Sequence, residues 1–276
     1  MTPECRSISP ITKVFQTGTF PVKVLCDDFN EYVCKHSHRT PADSLFLEYL
    51  AASFCKHWKL RVPEFAFVKI QQDHIPAELT DNTIQPRNFV IPCFGSRNYE
   101  FAKEVDASFL SLEENNKELK KIRNKEDILR IALFDRWIAN EDRHLQNFNL
   151  LISPETDGSY FMPIDHEKCF NCNMVNDDIP IAQLTDDETL VNSEVCTLFF
   201  RQNAALDEII ASTEDYYQLC VEDCRQHLDE ILGEIPPEWA IDVDSKKELI
   251  EKNIFVPEWI QETIENFKET TERFLR

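Results

Sequence analysis

The chain has 276 residues, a hydrophobic content of 42% and a formal net charge of −21 at pH 7. This length provides for one large domain or for two lobes with a substantial core. No apolar run is long enough to span a bilayer, and the first residues lack the charged-then-apolar pattern of a signal peptide. We therefore expect a cytoplasmic protein that does not bind a membrane.

The negative charge is concentrated in the second part of the chain. Residues 1–100 contain 11 Lys and Arg against 11 Asp and Glu, which leaves 18 basic and 39 acidic residues after residue 100. This excess argues against direct binding to nucleic acid or to an anionic membrane. A solvated acidic surface and an interface for a basic partner are both compatible with it.

Ten cysteines raise the question of disulfides or metal ligation. Most of them lie inside apolar runs, such as Cys26, Cys34 and Cys55, which predicts reduced and buried thiols in a chain without a secretion pattern. Cys169 and Cys172 form a lone CxxC. Zinc or redox chemistry is an alternative there, although neither a second CxxC nor a His pair follows at zinc-finger spacing.

The first hundred residues are rich in predicted strands. Alternating apolar residues and β-branched side chains indicate strands, and apolar residues at helical spacing indicate one helix. Strands are predicted at residues 13–16, 21–26 and 31–35, a helix at 43–58, and two further strands at 65–70 and 88–94.

The rest of the chain is mainly helical in its pattern. We predict an exposed helix or connector at 111–125, a helix from Lys125 to Ile138, a hairpin of 148–152 with 159–164 turning at Asp157-Gly158, and helices at 193–212, 214–232 and 257–275. This order of elements predicts an α+β, two-lobed architecture. Residues 1–97 form its β-rich N-terminal lobe, and residues 98–276 form its mainly helical C-terminal lobe.

A dense polar loop follows the helix that ends at Ile138. Residues 140–147 have the sequence NEDRHLQN, so that Asp142 and Asn147 lie five positions apart, and Asp165 follows the predicted hairpin. A carboxylate can orient an attacking hydroxyl, while a second carboxylate and an amide oxygen can ligate Mg²⁺. This order and spacing are those that protein kinases use for phosphoryl transfer.

The N-terminal lobe contains residues that suit a nucleotide. Lys35 ends a predicted strand and can reach phosphates, and Glu48 on the next helix can pair with it. Backbone N–H groups of Thr17, Gly18 and Thr19 can cover phosphates, although the chain has only four glycines and no glycine-rich loop. Each residue alone also fits an ordinary surface or loop position. Their joint order favours the functional interpretation.

These residues resemble the HipA-like kinases, and the resemblance extends over about residues 11–240. Its most specific part is the loop at 140–147 followed by Ile164-Asp165-His166. The segments at 32–35, 46–51 and 60–63 are similar to the compact branch of that family, which lacks a separate N-terminal subdomain. The Asp-Arg-His-x-x-Asn core also resembles, more distantly, the catalytic loop of phosphatidylinositol kinases.

The resemblance implies a protein-kinase-like fold and a kinase that uses ATP and Mg²⁺. By position, Asp142 is the catalytic aspartate, Asn147 and Asp165 are metal ligands, Lys35 binds phosphate, and Glu48 is its partner. The N-terminal lobe then binds the nucleotide and the C-terminal lobe carries catalysis. The resemblance also implies a protein Ser/Thr substrate and an antitoxin-like protein partner.

Further residues of the loop have expected supporting roles, and two other function classes stay open. Arg143 is expected to pair with a nearby carboxylate, and His144 to brace the loop. Asp165-His166-Glu167 stands where protein kinases have Asp-Phe-Gly, which argues against a flipping activation switch. The alternatives are a catalytically inactive pseudokinase and an acidic protein-interaction module that binds no nucleotide.

Overall fold

The computed structural model describes residues 1–37, 42–77, 84–106, 109, 117–140, 142–144, 147–170, 189–201 and 203–276. The chain divides into two compact units, each assembled from three segments. Unit 1 contains Met1–Leu50, Pro63–Glu100 and Glu230–Val243. Unit 2 contains Ala51–Val62, Phe101–Asp229 and Asp244–Arg276.

Unit 1 is built around a six-stranded mixed sheet. Its strands are β1 (Glu4–Arg6), β2 (Lys13–Val14), β3 (Val22–Leu25), β4 (Glu31–Lys35), β5 (Phe65–Lys69) and β6 (Cys93–Arg97). The strand order is β1-β5-β6-β4-β3-β2, in which β1 pairs with β5 in parallel and the other described pairs are antiparallel. Helix α1 (Ala42–His57) follows β4, and short 3-10 helices cover Gln72–His74, Pro86–Phe89 and Pro237–Trp239.

The register of β4 determines the direction of Lys35. Tyr32 and Cys34 are buried in the core of unit 1, whereas the intervening Val33 and the terminal Lys35 are only partly buried. Since side chains alternate between the faces of a strand, Lys35 points to the face opposite Tyr32 and Cys34. The strand predicted at residues 31–35 is therefore confirmed, and it carries Lys35 at its end.

The strand predicted at residues 88–94 is wrong over its first part. Residues Pro86–Phe89 form a 3-10 helix, and the strand instead covers Cys93–Arg97. Pro86 occupies the first turn, and the backbone N–H of Gln85 donates to the Asn88 side chain at 2.7 Å. This reciprocal cap stabilises the helical turn over the extended conformation that the apolar residues alone suggest.

Unit 2 and the remaining segments contain most of the helices. The other described elements are β7 (Lys103–Glu104), α2 (Lys117–Lys121), α3 (Asp127–Trp137), β8 (Leu150–Glu155), β9 (Gly158–Pro163), a 3-10 helix at Leu190–Asn192, α4 (Glu194–Phe200), α5 (Leu206–Gln226), α6 (Leu228–Gly233), α7 (Val243–Ile254) and α8 (Pro257–Leu275). Strands β7, β8 and β9 form an antiparallel sheet in that order. The predicted hairpin is thus confirmed, with residues 156–157 at its turn.

Helix α3 lies at the centre of the unit 2 core. The indole rings of Trp58 and Trp137 stack with their centroids 5.5 Å apart. The Trp137 indole N–H donates to the Ile254 carbonyl at 2.9 Å, and the Trp259 indole N–H donates to the Trp137 carbonyl at 2.8 Å. These buried polar contacts fix the end of α3, from which the polar loop departs.

The helix boundaries predicted for the last third of the chain were partly wrong. Helix α5 runs without a break through residue 213, where two helices were expected to meet, and α7 was not predicted. The break lies earlier, where the Asn203 side chain accepts a hydrogen bond from the Ala205 N–H at 2.9 Å. Helix α8 spans the predicted residues 257–275, with Pro257 in its first turn.

The described cysteines fit the prediction of reduced thiols. Nine are free and buried, and Cys172, the second member of the CxxC, lies outside the described residues. Among the helices that the structure describes, none is long and apolar enough to cross a membrane.

Candidate active site

The polar loop begins where α3 ends in a Schellman motif. The Asn140 N–H donates to the Asp135 carbonyl at 2.8 Å, and the Ala139 N–H donates to the Arg136 carbonyl at 3.2 Å. Ala139 has a φ of 49°, the left-handed conformation that this cap requires. Glycine is the usual residue at this position, because a Cβ makes the left-handed conformation less favourable. Ala139 is therefore locally strained where the chain turns into the loop.

A buried ion pair lies beneath the loop. Arg143 pairs with Asp135, and both side chains are almost entirely buried. The Asn140 side-chain amide donates to the same Asp135 oxygen at 2.9 Å. Burial raises the pKa of Asp135, and the Arg143 guanidinium opposes that shift. Asp135 is therefore the carboxylate partner that the sequence predicted for Arg143 without identifying it.

Arg143 also ties the loop to the hairpin. Its Nε donates to the Phe148 carbonyl at 3.1 Å, and its Nη2 donates to the Ile164 carbonyl at 2.8 Å. Its Nη2 also lies 3.2 Å from Nε2 of the buried His166. A guanidinium carries five donors in a planar fork, which allows one side chain to fix the chain before β8 and the chain after β9.

The predicted pair Asp142 and Asn147 is brought together. The Asn147 amide donates to the Asp142 backbone carbonyl at 2.9 Å and to its carboxylate Oδ2 at 3.1 Å. Asn149 donates to the same Oδ2 at 2.9 Å. The Asp142 N–H donates to the Asn140 side-chain oxygen at 3.2 Å. The carboxylate is thus oriented by two amides, and its backbone is held by a third.

Asn149 was not predicted as a site residue, although the sequence contains a signal for it. Asn147 and Asn149 are two positions apart at the entrance to the hairpin. Asn149 has a φ of 44°, in the left-handed region that asparagine tolerates. An Asn-x-Asn pair that follows an aspartate in a tight loop can present both amides to that carboxylate.

A tight backbone bridge closes the loop. The His144 N–H donates to the Asn147 carbonyl at 3.0 Å, and the Asn147 N–H donates to the His144 carbonyl at 3.1 Å. This reciprocal pair brings Asn147 back toward Asp142. His144 contributes to the bridge through its backbone, and residues 145–146 lie outside the described part of the chain.

Asp165 stands immediately after the fixed end of the hairpin. The Ile164 N–H donates to the Asn149 carbonyl at 2.9 Å, and the Ile164 carbonyl accepts from Arg143. Asp165 has a φ of 60°, in the left-handed region that aspartate tolerates better than most residues. The residue before Asp165 is therefore held by Arg143, which follows Asp142 in the chain, and by Asn149, which donates to the Asp142 carboxylate.

In unit 1, Lys35 and Glu48 form an ion pair between Nζ and Oε1. The side chains are 15% and 4% exposed, so the pair is largely shielded from solvent, unlike most surface ion pairs. Strand β4 supplies the lysine and helix α1 supplies the glutamate. The sequence predicted this pairing, and the structure contains it.

The predicted phosphate-covering turn also lies in unit 1. The Phe20 N–H donates to the Thr17 carbonyl at 3.2 Å, and the Phe20 carbonyl lies 3.0 Å from Nε2 of His36, the residue after Lys35. Apart from Gly18 and its two chain neighbours, no described atom lies within 4 Å of the position that a Cβ on Gly18 would occupy. The turn therefore has open space beside it at Gly18.

The predicted site residues fall into two groups by unit. Unit 1 contains the Lys35–Glu48 pair and residues 17–19, and unit 2 contains Asp142, Asn147 and Asp165. The donor set of the second group fits Mg²⁺, which prefers carboxylate and amide oxygens. An amide ligates Mg²⁺ through its oxygen, and the Asn147 nitrogen donates to Asp142, so Oδ1 of Asn147 is the atom that can ligate a metal.

Comparison with known proteins identifies the family. The sequence profile of the family described as HipA-like kinase matches residues 8–274. No curated protein matches the chain by sequence.

Solved structures show the fold. The Helicobacter pylori proinflammatory kinase CtkA is 16% identical with a TM-score of 0.53, and the match covers 96% of this chain and 99% of CtkA. A hydra Fam20 structure with sugar (11% identity, TM-score 0.49, 97% of this chain and 88% of that chain covered) and the Golgi casein kinase with Mn/ADP bound (12% identity, TM-score 0.47, 97% and 74% covered) are more remote. The likeness to CtkA confirms the predicted α+β, protein-kinase-like fold. Because the family profile covers nearly the whole sequence, the chain belongs to the HipA-like kinase family.

Proposed function

We propose that this kinase-like phosphotransferase transfers the γ-phosphoryl group of ATP to a serine or threonine hydroxyl of a protein, with Mg²⁺ as its metal. The observation that carries the proposal is the Asp142 carboxylate, which is oriented by the amides of Asn147 and Asn149. Phosphoryl transfer depends on positioning and electrostatics more than on covalent chemistry. A preoriented carboxylate in a kinase-family loop is suited to that task.

Asp142 receives and orients the substrate hydroxyl in this proposal. Its Oδ2 accepts both amides, so Oδ1 is the oxygen that can accept a hydrogen bond from the acceptor hydroxyl. A carboxylate within hydrogen-bond reach takes up the hydroxyl proton. The hydroxyl oxygen bonds to the γ-phosphorus while the bond from that phosphorus to the β–γ bridging oxygen breaks, and ADP leaves. Asn149 is a positioning residue, because it acts through the Asp142 carboxylate.

Asn147 and Asp165 hold the metal. Asn147 offers a neutral oxygen and Asp165 an anionic one, and both are hard ligands of the kind that Mg²⁺ prefers. When bound, ATP would supply the phosphoryl group, and Mg²⁺ would neutralise part of the negative charge of the phosphates. The anchored backbone of Ile164, the residue before Asp165, limits how far the Asp165 carboxylate can move when the nucleotide binds.

Lys35 binds the phosphates, and Glu48 holds the lysine in place. Their ion pair is largely buried, so the ammonium is oriented before the nucleotide arrives. Backbone N–H groups of residues 17–19 cover the phosphates. In this assignment residues 1–97 form the nucleotide-binding lobe, and residues 98–276 form the catalytic lobe.

The charge distribution suggests the class of acceptor, and the free thiols suggest the cellular compartment. The 39 acidic residues after residue 100 favour a basic protein segment as the acceptor and disfavour nucleic acid. Nine free, buried thiols fit the reducing cytoplasm. An antitoxin-like protein is the partner that the family suggests.

Two measurements on the purified full chain test the proposal. Calorimetry with Mg-ATP should detect nucleotide binding, and incubation with γ-labelled ATP and a cell lysate should label a protein that mass spectrometry can identify. Binding without any transfer to protein would favour the pseudokinase. A chain that binds no nucleotide would instead be an interaction module.

A further inference from the structure

A second group of potential metal ligands lies within unit 2, outside the proposed phosphoryl-transfer site. His57 is the last residue of α1, Asp223 lies in the last turn of α5, and His227 caps α5. Nδ1 of His57 lies 2.9 Å from Oδ2 of Asp223, and Nδ1 of His227 lies 3.3 Å from Oδ1 of Asp223. One ligand atom of each residue lies within 4.8 Å of those of the other two.

The spacing of these atoms is close to that of a metal-bound set. Ligands about 2.0–2.1 Å from a tetrahedral ion lie roughly 3.3–3.4 Å from one another. The two imidazole–carboxylate distances, 2.9 Å to Oδ2 and 3.3 Å to Oδ1 of Asp223, are near this value. Nδ1 of His227 also lies 2.8 Å from the Asp223 backbone carbonyl oxygen. The two imidazole rings stack with centroids 4.6 Å apart and planes 29° apart, so both rings lie beside the same carboxylate.

The backbone that carries the three side chains is fixed at both helix ends. Helix α1 ends in a Schellman motif, in which the Leu60 N–H donates to the Cys55 carbonyl at 3.0 Å and Lys59 has a φ of 52°. In α5, the His227 N–H donates to the Asp223 carbonyl at 3.2 Å. The three ligands are therefore presented by rigid elements, which lowers the ordering cost of binding an ion.

The electrostatic setting favours a cation. Two helices end at the cluster, and the C-terminal end of a helix carries a partial negative charge. The side chains of His57, Asp223 and His227 are 24%, 39% and 39% exposed, so that an ion can enter from solvent and a water can complete its coordination.

We propose that His57, Asp223 and His227 bind one divalent transition-metal ion of the zinc class. Imidazole nitrogens suit Zn²⁺, Co²⁺, Ni²⁺ and Cu²⁺ better than Mg²⁺, so this site and the proposed Mg-ATP site select different metals. The bound ion links the end of α1 to the end of α5 and stabilises unit 2. This proposal is independent of the proposed kinase activity.

Co²⁺ is the probe that tests the site, because its visible absorption reports coordination directly. The full chain, freed of metal by a chelator, should bind one Co²⁺ that Zn²⁺ displaces, and Zn²⁺ should raise the melting temperature. His57→Gln, Asp223→Asn and His227→Gln should each weaken Co²⁺ binding by about tenfold or more. His74→Gln is the matched control, since His74 contacts Ser7 in unit 1 and should leave binding unchanged.

A gain of signal separates a metal site from a hydrogen-bonded cluster. His227→Cys replaces a nitrogen ligand by a thiolate, so bound Co²⁺ should acquire a sulfur-to-metal charge-transfer band that the parent protein lacks. Asp165→Asn should bind Co²⁺ at this site as the parent does. The proposal is overturned if the parent binds no Co²⁺, or if the three ligand variants bind it with the parent's affinity and the cysteine variant adds no band.

Discussion

Asn147 donates its side-chain amide to both the backbone carbonyl and the carboxylate of Asp142, at 2.9 and 3.1 Å. This bidentate contact joins the two residues that the sequence places five positions apart. It fixes the amide so that Oδ1 remains as the oxygen for a metal. One contact therefore orients the carboxylate that we propose to bind the acceptor hydroxyl, and it leaves Oδ1 of Asn147 for the proposed metal.

Asn149→Leu should lower kcat and leave the KM for ATP nearly unchanged. The variant removes the 2.9 Å hydrogen bond to the Asp142 carboxylate, and a hydrogen bond to a charged group contributes about 1.5–3 kcal/mol, or roughly 10- to 100-fold in rate. Steady-state kinetics separate the two constants. A variant that changed only the KM for ATP would show that Asn149 does not act through Asp142.

Asp165→Asn should abolish the Mg²⁺ dependence of ATP binding. The substitution removes the anionic ligand while preserving the size of the side chain. Calorimetry in Mg²⁺ should show weaker ATP binding than in the parent protein, and calorimetry in a chelator should show the same affinity for both. Equal Mg-ATP affinity in the two proteins would contradict the metal assignment.

Lys35→Met and Glu48→Gln should both raise the KM for ATP. Because the two side chains form one ion pair, the double variant should be little worse than Lys35→Met alone. The matched control is Lys23→Met, which breaks the 3.0 Å Lys23–Glu31 pair in the same sheet and should leave the KM unchanged. Additive effects of Lys35→Met and Glu48→Gln would mean that Glu48 does not act through the lysine.

Arg143→Met should destabilise the protein by about 3–5 kcal/mol, because it leaves Asp135 without its buried cationic partner. Chemical denaturation measures the change in the free energy of unfolding. The double variant Arg143→Met with Asp135→Leu should recover part of the loss, since no unpaired buried charge remains. A loss below about 1 kcal/mol in the single variant would contradict the buried pairing.

Local patterns predicted the elements that the site needs. The alternation in β4 and the helical spacing in α1 placed Lys35 and Glu48 on neighbouring elements, and the hairpin pattern placed Asp165 after β9. These predictions succeeded because each depends on residues a few positions apart. The 3-10 helix at Pro86–Phe89 was missed because a cap between Gln85 and Asn88 overrode the apolar pattern.

Contacts that depend on a backbone turn or on the packing of distant elements could not be predicted in the same way. Nothing local indicates that Asp135 is the partner of Arg143, because the bend at Ala139 brings them together. His57 and Asp223 are separated by 166 residues, and only the packing of α1 near α5 makes them neighbours. Strand β1 was missed because its three residues are extended through pairing with β5.

The proposed role of Asp142 is to orient the acceptor hydroxyl for phosphoryl transfer. The most direct measurement is the transfer of label from γ-labelled ATP by the parent protein and by Asp142→Asn, with Asp207→Asn as a surface control. The variant should lose transfer by about 10²- to 10⁴-fold while calorimetry shows unchanged Mg-ATP binding. Undiminished transfer by Asp142→Asn would contradict the account.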